Sequence, residues 1–228
     1  MEDATGVTDD PARFQEAIDF FRRKVPVTDE EWQALVEAEK TRAFKVAAVS
    51  NADLIQDVFD AIDSAIADGT TFEDFKQTDQ LEDRLYEEWG AADAGHLETV
   101  FRTNVLSSYN GGRHEIFSDP EVKEDRPYWR FELIDDDRIC DECEACDGVI
   151  LPADDPWWSK NVPPLHFSCR CSFTALTHEE AVEEGVADDG PDDVADDGFG
   201  SPPSADDWEP DTDRFDDEIA AALDKMIG

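Results

Sequence analysis

The sequence predicts an α+β fold: an N-terminal helical region, then a small antiparallel β region with a Cys/His cluster. An acidic disordered linker and a C-terminal amphipathic helix are expected to follow. Three observations carry this. Apolar residues recur at three- and four-residue spacing as far as about residue 118 and then alternate. All five cysteines lie between 140 and 171. After about Glu184 the composition falls to Gly, Pro, Ser, Ala and Asp, with little to bury. Helices first and strands second is the α+β pattern.

The elements follow in order. Asp10-Pro11 reads as an N-cap with proline at the first helical position. Phe14, Ile18, Phe21 and Val25 then keep helical spacing until Pro26, giving an N-terminal helix or arm over residues 1–25. Thr28 and Glu31 form a capping box. The helix it opens is expected to carry Trp32, Leu35 and Val36 and then Phe44, Val46 and Val49. A third helix starts near Asn51, presents Leu54, Ile55, Val58, Ile62 and Ile66, and ends at Gly69. A short helical turn from Thr70-Thr71 buries Phe72 and Phe75. Leu81, Leu85 and Trp89 mark another helix, stopped by Gly90. From about Ala92 a longer helix passes Leu97, Val100, Phe101, Val105 and Tyr109 and ends before Asp119-Pro120. Arg102 and Arg113 share its face with Leu106 and Tyr109. They are read as ion pairs holding helix to sheet, with a partner- or phosphate-binding stripe as the other reading.

Tyr128–Ile134 then reads as a strand and Asp135-Asp136-Asp137 as a turn. Gly148–Leu151 and Cys171–Leu176 are further strands. From 179 to 217 there are 17 acids and one arginine, so 179–213 is expected to be a disordered acidic linker. Residues 214–228 regain helical spacing at Phe215, Ile219, Leu223 and Met226. They are expected to be a docking helix, the alternative being that they fold back on their own domain.

Charge limits the functions. The 228 residues hold 59 acidic and 19 basic side chains, a net charge of −40. A bulk electrostatic grip on nucleic acid or on an anionic membrane is excluded. No run of 18 apolar residues offers a membrane span, and Met1-Glu2-Asp3-Ala4 has no basic start to a secretory signal. With 36 Asp, 23 Glu and only 7 Lys, acid is spread along the chain. Such self-repulsion is tolerable where salt screens it, so the composition is read as adaptation to a salt-rich, halophilic interior.

The cysteines carry the chemistry. Cys140-x2-Cys143 is a knuckle, Cys146 continues its spacing, and His166-x2-Cys169-x-Cys171 follows some 20 residues later. Two clusters of soft ligands with short internal spacing suit a tetrahedral, structural zinc site. The expected ligands are Cys140 and Cys143 with two of His166, Cys169 and Cys171, Cys146 being the outsider. Disulfides or free thiols are the alternatives.

These residues sit in a longer pattern. Arg102-Thr103-Asn104, Tyr109-Asn110, Gly112-Arg113, Trp129 and Asp137-Arg138 precede Cys140-x2-Cys143. Gly148 and the run Pro163-Pro164-Leu165-His166-x2-Cys169-Arg170-Cys171 follow it. Over about residues 25–176 the chain resembles the Mu F-like family of minor head proteins of tailed viruses. The domain implied spans 26–178, helical over 26–118 and β with Cys/His over 126–176. The resemblance implies a head morphogenesis protein inside the virion head near the portal vertex. Its expected partners are the portal protein, the major capsid protein or both, and it is made in the host cytoplasm during assembly. With the charge, it implies a tailed virus of a halophilic, haloarchaeal host. Weak contact with packaged DNA would fall on 101–134, the least acidic stretch, with five basic and six acidic residues. The chain is expected not to be an enzyme, since P-loop, G-x-S-x-G and H-E-x-x-H are absent. The alternatives are a zinc hydrolase or toxin-like enzyme, and a host zinc-binding adaptor.

Overall fold

Two hydrophobic cores share one long helix. The computed structural model describes residues 14–34, 43–46, 49, 51–89, 94–134 and 139–202. The helical half contains α1 (Gln15–Arg22), α2 (Asp29–Ala34), α3 (Ala52–Asp68), α4 (Phe72–Gln77) and α5 (Leu81–Trp89). The shared helix is α6 (Ala94–Ser118), followed by the short α7 (Pro120–Asp125).

The caps on α3 and α4 are the expected ones. Asn51 accepts from the Leu54 N–H, and Gly69 closes α3 at φ 67° in the left-handed region. Thr71 accepts from the Asp74 N–H. The predicted α3 stripe of Leu54, Ile55, Val58, Ile62 and Ile66 is buried in full, against Phe21, Phe44 and Phe75. Phe72 is only half-buried and packs beside Phe101.

Two expectations in this half are corrected. Val25 does not extend α1: Val25–Pro26 is β1, paired in parallel with Ala43–Phe44 as β2. Phe44 and Val46 therefore do not belong to a long second helix, although both are buried. The apolar spacing is the same for a buried ribbon as for a helix over so few residues, which is why periodicity misplaced them. The Asp10 cap, the Glu31 side chain of the capping box, Gly90, Asp135–Asp137 and residues 214–228 lie outside the described residues or side chains.

Helix α1 packs on α6 so closely that Gly112 has no room for a side chain. A Cβ there would stand 2.7 Å from the Ala17 nitrogen and 2.7 Å from the Glu16 carbonyl carbon. Both are backbone atoms, so no rotamer change relieves the clash. Gly112→Ala is expected to destabilise by about 1–3 kcal/mol, despite alanine's better helix propensity. A denaturant midpoint equal to or above the parent's would contradict this.

The second half is a three-stranded antiparallel sheet in the order β4-β3-β5, with β3 Tyr128–Glu132, β4 Ile150–Pro152 and β5 Ser172–Leu176. Between β3 and β4 lies α8 (Asp141–Cys146), and after β5 comes α9 (His178–Glu184). Thr177 and Glu180 make a full capping box on α9. One face of β3 buries Trp129 and Phe131 against Trp157, Trp158, Phe173 and the cysteines. The structure is thus α+β, as the sequence predicts.

The linker expected from 179 is corrected over its described part, 179–202. Beyond α9 the chain runs as a strap over the second core. The Ala187 N–H donates to Ile150 O, the Asp196 N–H to Leu165 O, and the Trp157 indole to Pro191 O. Val194 is buried. A few small apolar residues spaced among aspartates cover a preformed core, which a compositional measure cannot register.

His114 sits on α6 where the helix meets the sheet, its ring edge-on to Trp129 at 5.5 Å. Burial, with Lys123 adding to it, pushes its pKa down from 6.5 to about 4. Below pH 6.5 the unfolded chain gains a proton that the folded chain refuses. This stability is complete above pH 6.5 and is lost as the pH falls toward 4, by about 3 kcal/mol at most. His114→Phe is expected to flatten that part of the stability profile, read as denaturant midpoints between pH 7 and 4 at constant salt. A profile parallel to the parent's would refute it.

Candidate metal centre

The cluster is assembled by two tight turns. In the first, Cys140 caps α8, and its Sγ accepts from the Cys143 N–H at 3.4 Å. This brings the two sulfurs of the C-x2-C unit to one side. Gly148, at φ 69°, then turns the chain back, and its N–H donates to Phe131 O. In the second turn the Cys169 N–H donates to His166 O, with Ser168 in the left-handed region at φ 59°.

The ligand atoms form two overlapping triads that share Cys143. One is Cys140, Cys143 and His166; the other is Cys143, Cys169 and Cys171. Within each, all ligand atoms lie within 4.8 Å of one another. His166 Nε2 stands 3.1 Å from Cys140 Sγ and 3.2 Å from Cys143 Sγ, and Cys143 Sγ stands 3.9 Å from Cys169 Sγ. His166 Nδ1 lies 2.8 Å from Phe167 O. A carbonyl only accepts, so Nδ1 donates to it and Nε2 faces the sulfurs. This is how a metal-binding histidine is oriented. None of the five cysteines is joined in a disulfide.

Cys143, Cys169 and Cys171 are buried, whereas Cys140 and His166 are half-buried. Hydrogen bonds from the Cys143 and Cys171 thiols hold the Cys169 pKa well below the usual thiol range. The Cys143 thiol, donating to Cys169, is held above it. Cys146 belongs to neither triad; it faces the second core, and burial pushes its pKa up to about 12. A buried, soft, mostly sulfur donor set of this kind can hold a metal ion.

Helix α6 holds the second turn through two residues that the sequence reading placed only in the family pattern. The fully buried Asn110 donates from Nδ2 to Cys171 O at 3.0 Å, and its Oδ1 has no hydrogen-bond partner among the described residues. Thr103 Oγ1 accepts from the Ser168 N–H at 3.3 Å. The available signal was their place in the family pattern, Arg102-Thr103-Asn104 and Tyr109-Asn110. Arg102 differs from expectation: it pairs with Glu98 on its own helix at 2.6 Å and does not tie helix to sheet.

Comparison with known proteins places this arrangement. Residues 56–174 match the family model described as Phage Mu protein F like protein. The chain is 30% identical over 168 residues to "Mu-like prophage FluMu F protein" of Haemophilus influenzae, covering 68% of this chain and 40% of that one. It is 26% identical over 190 residues to "Putative capsid assembly protein F" of Escherichia phage Mu, covering 75% of this chain and 42% of that one. The chain thus spans about two fifths of the length of these curated relatives. No solved structure matches. The matched span runs from α3 through both cysteine turns to β5, so the shared helix, the sheet and the donor cluster all fall within it. The chain belongs to the phage Mu protein F-like family.

Proposed function

We propose that this chain acts as a minor head protein of a tailed virus, inside the head near the portal vertex. It would bind the portal protein, the major capsid protein or both, and serve head assembly, genome packaging or DNA delivery. The observation that carries this is the family match over 56–174, together with a relative named as a putative capsid assembly protein. Mass spectrometry of purified virions tests it. The protein should be present at far fewer copies than the major capsid protein, and its absence from both virions and assembly intermediates would reject the reading. Hydrolytic turnover abolished by Glu142→Ala and His166→Ala would favour an enzyme instead.

Packaged DNA is a weaker partner in this reading. In 101–134, Arg102, Lys123, Arg126 and Arg130 are already paired with Glu98, Asp154, Glu180 and Glu132. The segment therefore offers phosphate little uncompensated charge. Among the described residues no helix is long and apolar enough to cross a membrane.

The cluster's role is structural: a zinc ion held by Cys140, Cys143, His166 and Cys169, with Cys171 beside it. A tetrahedral ion with Zn–S bonds of about 2.3 Å places its sulfurs about 3.8 Å apart. The 3.9 Å between Cys143 and Cys169 fits one such pair of sulfurs.

The net charge of −40 supports a halophilic setting, in a virus of a haloarchaeal host. The thermal midpoint should rise steadily from 0.1 M to molar salt, where the Debye length falls to about 3 Å. A high, salt-independent midpoint would remove this part of the reading.

A further inference from the structure

All five donors of the cluster line one cavity of about 30 Å³. Organic ligands need about 300 Å³ or more, so what this cavity can take is an ion. A tetrahedral zinc ion uses four donors. The fifth, Cys171, is then left without a task, although it is placed as firmly as the others. It is 3% exposed, and the buried Asn110 donates to its carbonyl at 3.0 Å.

The two triads differ in chemistry. Cys140, Cys143 and His166 include a nitrogen and two half-buried members. Cys143, Cys169 and Cys171 are all sulfur and all buried, at 4, 3 and 3% exposure. Among the described residues neither triad has a fourth donor within 4.8 Å of all its members. Zinc must therefore draw on both, bringing Cys169 to Cys140, Cys143 and His166. The sulfur triad needs no such movement to hold an ion that takes three ligands. Burial of its three sulfurs leaves little water to complete a larger shell. That disfavours magnesium, calcium and other hard ions, which collect oxygen donors. Thiolates select soft ions, and a soft ion that readily takes three thiolates is monovalent copper.

We propose that Cys143, Cys169 and Cys171 form a second metal seat, one for Cu(I) held by three thiolates. Cys143 and Cys169 belong to both seats, so the chain holds one ion or the other and never both. Cys140 and His166 are released when the copper seat is filled. The inference rests on the reading of the cluster as a metal centre, and not on zinc being its ion.

Anaerobic titration of the full chain, first offered zinc, with Cu(I) delivered from a bicinchoninate complex tests it. The buffer is molar sodium sulfate, because chloride would compete for the copper. One equivalent of Cu(I) should release the bound zinc in equal amount. X-ray absorption should show three sulfurs and no nitrogen around the copper. Cys171→Ser should weaken copper binding by about tenfold or more and leave zinc within about threefold, since it softens one seat and spares the other. His166→Ala should do the reverse. Because the two variants move the two metals in opposite directions, a general loss of folding cannot imitate the result. Copper bound without release of zinc, copper ligated by His166, or a copper affinity indifferent to Cys171→Ser would each overturn the proposal. A chain that takes copper through three sulfurs but never holds zinc would remove the zinc reading and leave this one standing. Zinc held and copper refused would do the opposite.

Discussion

Cys143→Ala should abolish zinc binding at the proposed centre and loosen the two cysteine turns. Cys143 is the one residue common to both triads, with His166 Nε2 at 3.2 Å and Cys169 Sγ at 3.9 Å. Its loss leaves neither triad with a pair of well-placed sulfurs from both turns. Metal binding of this kind is folding free energy, on the order of 10 kcal/mol for structural zinc. Little else in 139–149 and 163–171 replaces it, because these turns hold few large apolar side chains. The expected result is zinc content falling from about one per chain to near zero. Hydrogen exchange should quicken across α8 and 163–171, while α3 and its buried stripe keep their protection. A chelator should reproduce the pattern in the parent protein. Cys146→Ala is the contrast: it deletes a buried thiol outside both triads, so zinc should stay and stability should fall only by the cost of a small cavity. Full zinc content in Cys143→Ala would reject the site.

The two halves were not equally legible in the sequence. Helix α3 could be read to the residue, because its caps are side chains with a single local job and its stripe repeats over 17 residues. The strands β3 and β5 were legible because alternation is unambiguous when Trp129 and Phe131 bury and Tyr128 and Arg130 do not. The parallel pair at 25–26 and 43–44 was not legible, since two residues per strand leave no period and the pairing is long-range. The strap at 185–202 was invisible for another reason. Its hydrogen bonds come from the backbone, which every sequence supplies, and only the core beneath makes Val194 worth burying. For the cluster, spacing named the right group of cysteines and histidine but could not order them. Their split into two triads depends on Ser168 and Gly148 turning the chain, and on Asn110 and Thr103 reaching across from α6.

That dependence on α6 makes Trp129 the residue whose truncation should cost the fold most without touching a ligand. Its ring is 2% exposed and lies between His114 of α6, Trp158 and Phe173, at centroid distances of 5.5, 5.5 and 5.2 Å. Removing it opens a cavity at the contact that seats the sheet on the long helix. Trp129→Ala is expected to destabilise by about 3–5 kcal/mol. Trp129→Phe should cost less than half as much. Its ring keeps most of the contacts, and the substitution deletes the Trp129 indole N–H, which is buried without a hydrogen-bond partner among the described residues. An unmet buried donor costs about 1–3 kcal/mol, so part of the lost area is offset. Denaturant unfolding followed by circular dichroism in molar salt would measure both. The metal gives the decisive comparison. At temperatures where Trp129→Ala remains folded it should hold zinc as fully as the parent, because no donor has moved out of reach. A variant that loses stability and zinc together would show instead that the α6 contact, and not the two turns, holds the donors in place.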